Sequence, residues 1–298
     1  MNLSTLTMRK LVRFTSGLFL NKKCPLWLQR KGLDLLGGFN PLPKGITINK
    51  NNLDRCQAWW FNHKNTETNR VILYFHGGGF GIGSPRSHRD LCAHLAKYSE
   101  TPVVSLKYRL APEHPYPAAI EDAMLAYQTL LKQGYSGDQI ALAGDSAGGS
   151  LALTLALKLK TEQISQPVCL FLISPWVNKS KETASHLTQF AVDPVINEGW
   201  SRQMASNYLT DSTATQAEAC LADKDFTGLS PMLIHVGTDE VLLDDSLLLK
   251  QKAIKTGVHV TLITYPELWH VFHFSASLFK QAREALKQAG SYIKHRMS

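Results

Sequence analysis

Ser146 stands between two glycines in the run Gly144-Asp145-Ser146-Ala147-Gly148-Gly149. The stretch before it, 139–143, is apolar and reads as a strand; the stretch after it, 147–160, reads as a helix. A serine at such a corner is held in a strained backbone conformation that projects its hydroxyl. Flanking glycines are required there, because a Cβ would meet neighbouring backbone. The chemistry served by this corner is acyl transfer through a serine ester. A serine hydroxyl is a poor nucleophile at neutral pH. It needs a base, the base needs an orienting acid, and the oxyanion needs donors.

The chain offers a candidate for each part. The acid is Asp239, in His235-Val236-Gly237-Thr238-Asp239, directly after strand 231–236; Asp244 is second, placed in the helix that follows. The base is His270, in the loop after strand 258–265. The order Ser146, Asp239, His270 is that of α/β-hydrolases and differs from chymotrypsin and subtilisin. The oxyanion donors are expected from His76-Gly77-Gly78-Gly79-Phe80: the N–H groups of Gly78 and Gly79, joined by that of Ala147. His76, Gly77, Gly144, Asp145 and Gly148 are supporting motif residues. The glycine run fits neither a Gly-x-Gly-x-x-Gly fingerprint nor a phosphate-binding loop. His270 and His273 lack a third ligand at metal spacing, so neither metal nor cofactor is expected.

These residues need a frame that brings them together. Segments 44–49 and 55–61 read as early strands. Strands are then predicted over 70–76, 102–107, 139–143, 167–173, 231–236 and 258–265. Helices are predicted in two pieces around Pro25 (5–37), after Pro85 to about Lys97, and over 118–133, 147–160, 240–256 and 275–294. Residues 177–225 are helical and polar, with no strand-like run. Strands alternating with helices give a mostly parallel sheet covered on both faces, an α/β fold whose sites lie at the carboxyl ends of strands.

The 298 residues, 44% of them hydrophobic, suffice for one large α/β domain with a cap. No apolar run is long enough to span a membrane. The apolar stretch 11–20 is broken by Arg13 and lacks a cleavage site, so no secretion signal is read. Five scattered cysteines without a Cys-x-x-Cys pair indicate a reduced, cytoplasmic setting. No nucleic-acid partner is expected.

The charge is uneven. Residues 1–50 hold nine Lys/Arg and one acid, Asp34, while the other 248 residues balance 23 bases against 23 acids. The leading segment reads either as a solvated helix face, with Leu6, Leu11, Phe14 and Leu18 packing on the body, or as a basic amphipathic helix touching a membrane or an anionic partner. The first reading is favoured, because charge runs are usually solvated.

With these motifs in place, the chain resembles the hormone-sensitive-lipase family of α/β-hydrolases, the bacterial family IV esterases. The matching segments are HGGGF at 76–80, YRLAPEHPYPAA at 108–119, GDSAGG at 144–149, SPW at 174–176, GTDEVLLDD at 237–245 and WHVFH at 269–273. The resemblance runs from about residue 70 onward and is weaker over 1–60 and 177–225. It implies a cap built from about 1–50 and 177–225, and cofactor-free hydrolysis of short-to-medium acyl esters. It places the nucleophile at Ser146, the acid at Asp239, the base at His270 and the oxyanion glycines at Gly78 and Gly79 with Ala147. It makes Arg109 and Glu113 internal ties, and it implies a possible homodimer through edge strand 258–265. The chain departs from the pattern at Lys107, where Asp is common, and at Ala219-Cys220-Leu221, where Ser-Pro-Leu is common. An amidase or deacetylase on the same scaffold is the alternative. Plant gibberellin receptors resemble the family but lack the catalytic His, and His270 argues against that non-catalytic role. Trp176, Phe190, Trp200 and Phe272 are candidates for the acyl pocket, each also readable as core packing.

Overall fold

The β3 strand reads Val71-Ile72-Leu73-Tyr74-Phe75, and all five residues are buried. A strand covered on both faces needs no polar alternation. Its side chains still alternate between two cores: Val71, Leu73 and Phe75 join one, Ile72 and Tyr74 the other. The computed structural model describes residues 3–66, 69–179, 183–209 and 220–298.

The sheet has eight strands in the order β1-β2-β4-β3-β5-β6-β7-β8. β1 (Ile46–Leu53) and β2 (Cys56–His63) form an antiparallel hairpin, and β2 runs antiparallel to β4 (Val103–Leu106). The rest, from β4 through β3, β5 (Ile140–Asp145), β6 (Cys169–Ile173), β7 (Met232–Gly237) and β8 (Val260–Tyr265), pairs parallel. β8 lies at the edge. The fold is the expected α/β-hydrolase fold, a mostly parallel sheet flanked by helices.

One face carries α4 (Ala118–Lys132) and α5 (Ala147–Thr161), which pack on each other. The other carries α3 (Arg89–Ser99) and α9 (Lys280–Arg296). α1 (Leu3–Phe19), α2 (Leu26–Phe39), α6 (Ala184–Thr188) and α7 (Glu198–Tyr208) lie outside this alternation. α8 (Leu243–Lys255) starts three residues later than the sequence pattern suggests. That leaves 238–242 as a turn, with consequences for the acid. Residues 210–219 of the stretch expected to be helical, including Ala219, lie outside the described residues.

The 184–196 stretch is tied to the turn after β7 at several points. Asp193 accepts from the Val241 N–H at 3.1 Å, Asp244 from the Ser185 N–H at 2.8 Å, and the Ser185 hydroxyl donates to the Val241 carbonyl at 2.7 Å. Asp245 accepts from the Val177 and Asn178 N–H groups at 2.8 and 2.6 Å. α1 reaches the same region: Arg13 donates to the Ala191 and Val192 carbonyls, and Ser16 to that of Pro194.

Candidate active site

Ser146 sits between β5 and α5 with φ 53° and ψ −118°, a region that L-residues rarely occupy. Such strain persists only where the surroundings over-determine it. Here the end of β6 and the loop after it do so: the Ser146 N–H donates to the Ile173 carbonyl at 2.8 Å, and the Ser146 carbonyl accepts from the Trp176 N–H at 3.1 Å. The flanking glycines are sterically obligatory. A Cβ on Gly144 would lie 2.3 Å from the Gly148 carbonyl oxygen, and one on Gly148 would lie 2.0 Å from that of Phe75.

Ala147 opens α5, so its N–H has no carbonyl one turn back and is available as a donor. Across from it, the loop after β3 is wound by bonds from Gly81 and Ile82 N–H to the Gly78 carbonyl, both 3.0 Å. Gly78 and Gly79 have φ +112° and +59°, and Gly78 lines the same cavity as Ser146. The YRLAPE segment braces this loop. Tyr108 Oη donates to the His76 carbonyl at 2.7 Å, and the Ala111 N–H donates to Phe80 at 2.9 Å. Arg109 binds Asp122 and Glu121, while Glu113 pairs with Arg30 of α2, so both are internal ties. Arg30 also donates to the Gly81 and Ala111 carbonyls, fixing α2 against the glycine loop.

Asp145 is buried beneath the corner. It accepts from Tyr74 Oη at 2.5 Å, the Gly77 N–H at 3.0 Å and His88 Nε2 at 3.3 Å. Burial pushes its pKa up, but the charge and hydrogen bond of His88 and the bond from Tyr74 outweigh it, leaving Asp145 below its ordinary value. A Cβ on Gly77 would lie 2.2 Å from Asp145 Oδ2, so the glycine run and the elbow strand lock together through this carboxylate.

The acid differs from the sequence expectation. His270 Nδ1 lies 3.2 Å from Glu240 Oε1, and Glu240 is fully buried. The other Glu240 oxygen accepts from Ser174 Oγ and the Gly237 N–H, both at 2.8 Å. Asp239 points away: it pairs with Arg9 Nη2 at 2.6 Å, and its side chain is 30% exposed. Adjacent residues in the turn face opposite ways, and the carboxylate turned inward is Glu240. Asp244, the second candidate, bonds to Ser185 of α6. Ser174, the first residue of the SPW segment, joins the site without a chemical motif of its own to mark it. The one available sign was its place at the carboxyl end of a buried strand, where site residues gather.

Burial disfavours the His270 imidazolium, but the Glu240 hydrogen bond and the charges of Glu240, Asp193 and Asp145 prevail, so its pKa is raised above 6.5. Asp193 is itself buried. Burial lifts its pKa to about 6, against the opposing effects of His270 and the Val195 and Val241 N–H groups. His273 is not part of the site. It lies against His235, its Nε2 3.2 Å from His235 Nδ1, and burial and the His235 charge hold its pKa well below 6.5.

Ser146 and His270 open on one cavity of about 310 Å³, at the small end of ligand pockets. Its walls are apolar. α1 supplies Met8, Leu11, Val12 and Phe19; α2 supplies Leu33 and Leu36; Val195, Ile196 and Trp200 close another side. Of the four aromatic candidates, Trp200 lines the cavity. Trp176 and Phe272 are buried core residues, and Phe190 packs against the core. Among the described residues no cluster of three or more potential metal ligands occurs, and no helix is long and apolar enough to cross a membrane. No two of the five cysteines are disulfide-bonded.

Residues 72–274 match the family model for the alpha/beta hydrolase fold. An acetyl-hydrolase of Streptomyces hygroscopicus is 39% identical over 239 residues, 80% of each chain. An esterase of Acinetobacter venetianus is 35% identical over 225 residues, 75% of this chain and 74% of its own. Among solved structures, an esterase from the bacterial hormone-sensitive lipase family superposes with a TM-score of 0.95 at 30% identity, covering 100% of this chain and 99% of its own.

Proposed function

The chain belongs to the hormone-sensitive-lipase family of α/β-hydrolases, and we propose that it cleaves short-to-medium acyl esters through Ser146, His270 and Glu240. It is a carboxylic ester hydrolase. The observation that carries the finer reading is the meeting of a strained serine and a Glu240-bound histidine on one small apolar cavity.

His270 takes the proton of Ser146 as the hydroxyl oxygen attacks the ester carbonyl. The N–H groups of Gly78, Gly79 and Ala147 receive the oxyanion. The alcohol leaves with the proton held on His270, giving an acyl-serine. Water, activated by the same imidazole, then releases the carboxylic acid and frees Ser146. Glu240 fixes the imidazole tautomer through Nδ1 and stabilises the imidazolium, while Ser174 and Gly237 hold Glu240 in place. α1, α2 and the described part of 177–225 serve as the cap whose side chains select the acyl group. The absence of disulfides accords with a cytoplasmic setting.

A series of p-nitrophenyl esters from acetate to palmitate tests this reading, with the butyryl anilide as control. Turnover is expected to peak at short-to-medium chains, fall steeply for palmitate, and be at least a hundredfold slower, roughly, on the anilide. Comparable rates on anilide and ester would make the protein an amidase instead.

The pH profile gives a second test. The base must be neutral to accept a proton, so a raised His270 pKa moves the acidic limb of kcat/KM above 6.5. Three negative charges act on His270: Glu240, bonded to it, and Asp193 and Asp145 through space. The Asp193→Asn variant removes one of these charges and should shift that limb to lower pH, with kcat reduced by about tenfold or less. A limb that stays in place while only thermal stability drops would reduce Asp193 to a structural tie.

A further inference from the structure

Among the described residues twelve large hydrophobic side chains are exposed, and seven of them fall between residues 11 and 39. Leu11, Phe14 and Leu18 recur at helical spacing along one stripe of α1, with exposures of 49%, 67% and 54%. Trp27, Leu35 and Phe39 continue the exposure on α2, Phe39 at 78%. Scattered apolar residues on a surface need no explanation, but this concentration does.

The same two helices and the link between them hold exposed Lys10, Lys22, Lys23 and Lys31, none with a carboxylate partner among the described residues. Lys31 Nζ lies over the Trp27 ring at 5.3 Å. The arginines differ: Arg9 binds Asp239, Arg13 binds backbone carbonyls and Arg30 binds Glu113. The charge left over is therefore the lysines interleaved with the apolar side chains. Leu11 belongs both to this patch and to the wall of the Ser146 cavity, so patch and cavity meet.

We propose that the outer face of α1 and α2 docks this enzyme on an anionic phospholipid surface and sets the cavity against the acyl layer. Apolar side chains entering the lipid boundary beside lysines at the headgroups is the pattern of a peripheral interfacial helix. A second copy of the chain would bring the same positive face to the contact, and like charges repel. A neutral surface would leave the lysines without counter-charge. The proposal rests on the ester-cleaving reading only for what the cavity receives, not for the docking.

Co-sedimentation of full-length Ser146→Ala protein with vesicles tests the docking without any turnover. Binding is expected to equimolar phosphatidylglycerol and phosphatidylcholine, with about fivefold loss of affinity for each lysine neutralised, and to fade in high salt. Phe14 and Leu18 do not line the cavity. A Phe14→Glu/Leu18→Glu pair should weaken binding by about tenfold or more while the same pair in the active enzyme hydrolyses soluble p-nitrophenyl acetate normally. Equal binding to pure phosphatidylcholine, unchanged binding of the pair, or a concentration-dependent dimer that the pair dissolves would overturn the proposal. Vesicle binding with no hydrolysis of any soluble ester would sink the esterase reading and leave the docking standing.

Discussion

Ser146→Ala is expected to lower kcat on p-nitrophenyl butyrate by at least about 10⁴-fold with KM little changed. In the proposed mechanism the hydroxyl oxygen forms the covalent bond, and no other side chain at the corner replaces it. The change removes one buried oxygen and keeps the Cβ, so Ile173 at the end of β6 and Trp176 in the loop after it still clamp the backbone. The variant should fold, with an unchanged far-ultraviolet spectrum, and retain a small residual rate from the Gly78, Gly79 and Ala147 donors. A fluorophosphonate should label the parent protein and leave the variant unmodified. Near-parental turnover would remove Ser146 from the reaction.

The second large effect separates two neighbours. Glu240→Gln is expected to cost about 10³–10⁴ in kcat, because the amide cannot reproduce the carboxylate on every side. If its oxygen keeps the Ser174 and Gly237 donors, its NH₂ faces His270 Nδ1 and imposes the wrong tautomer. If its oxygen faces His270, the NH₂ meets the Gly237 N–H and the hydroxyl of Ser174, two donors that lose their shared acceptor. Asp239→Asn should stay within about threefold of the parent, since it loses only a partly exposed ion pair with Arg9. The reverse ranking, with Asp239→Asn inactive and Glu240→Gln active, would restore Asp239 as the orienting acid.

The contrast between these two residues shows how far the sequence could be read. The strands were legible because continuous apolar runs such as 70–76 have few alternatives, and the corner because glycines leave so little else for a serine to do. Ser146 follows the buried β5 and His270 the half-buried edge strand β8, and strand ends converge in a parallel sheet. The carboxylate that meets His270 lies one residue beyond the expected Asp239. Asp239 and Glu240 are both carboxylates in the same turn, and the choice is made by Arg9, 230 residues away in sequence, which draws Asp239 outward. Nothing local encodes that contact. Trp200, a candidate from sequence, does line the cavity, but the α1 side of the wall was hidden: α1 is held there by Arg13 and Ser16 bonding to the backbone carbonyls of 191, 192 and 194, and a carbonyl carries no residue identity. The favoured reading of the leading segment, with Leu11, Phe14 and Leu18 packing on the body, is overturned: a different stripe of α1 turns inward. Met8, Val12 and Phe19 pack inward, while Leu11, Phe14 and Leu18 are exposed.

The ties from α1 to those carbonyls also bear on how such an enzyme can diverge. Arg13 and Ser16 ask nothing of residues 191, 192 and 194 except that they have a backbone, so those positions can drift without loosening the helix. The inward residues of α1 can drift too, changing the width and depth of the chamber, because none of them holds Ser146, His270 or Glu240. On the proposed reading, bond-making is thus inherited through the sheet, and the choice of acyl group separately, through the cap, in which α1 supplies one wall. A laboratory seeking a new chain-length preference would randomise Met8, Leu11, Val12 and Phe19 first and expect most of the library to remain active.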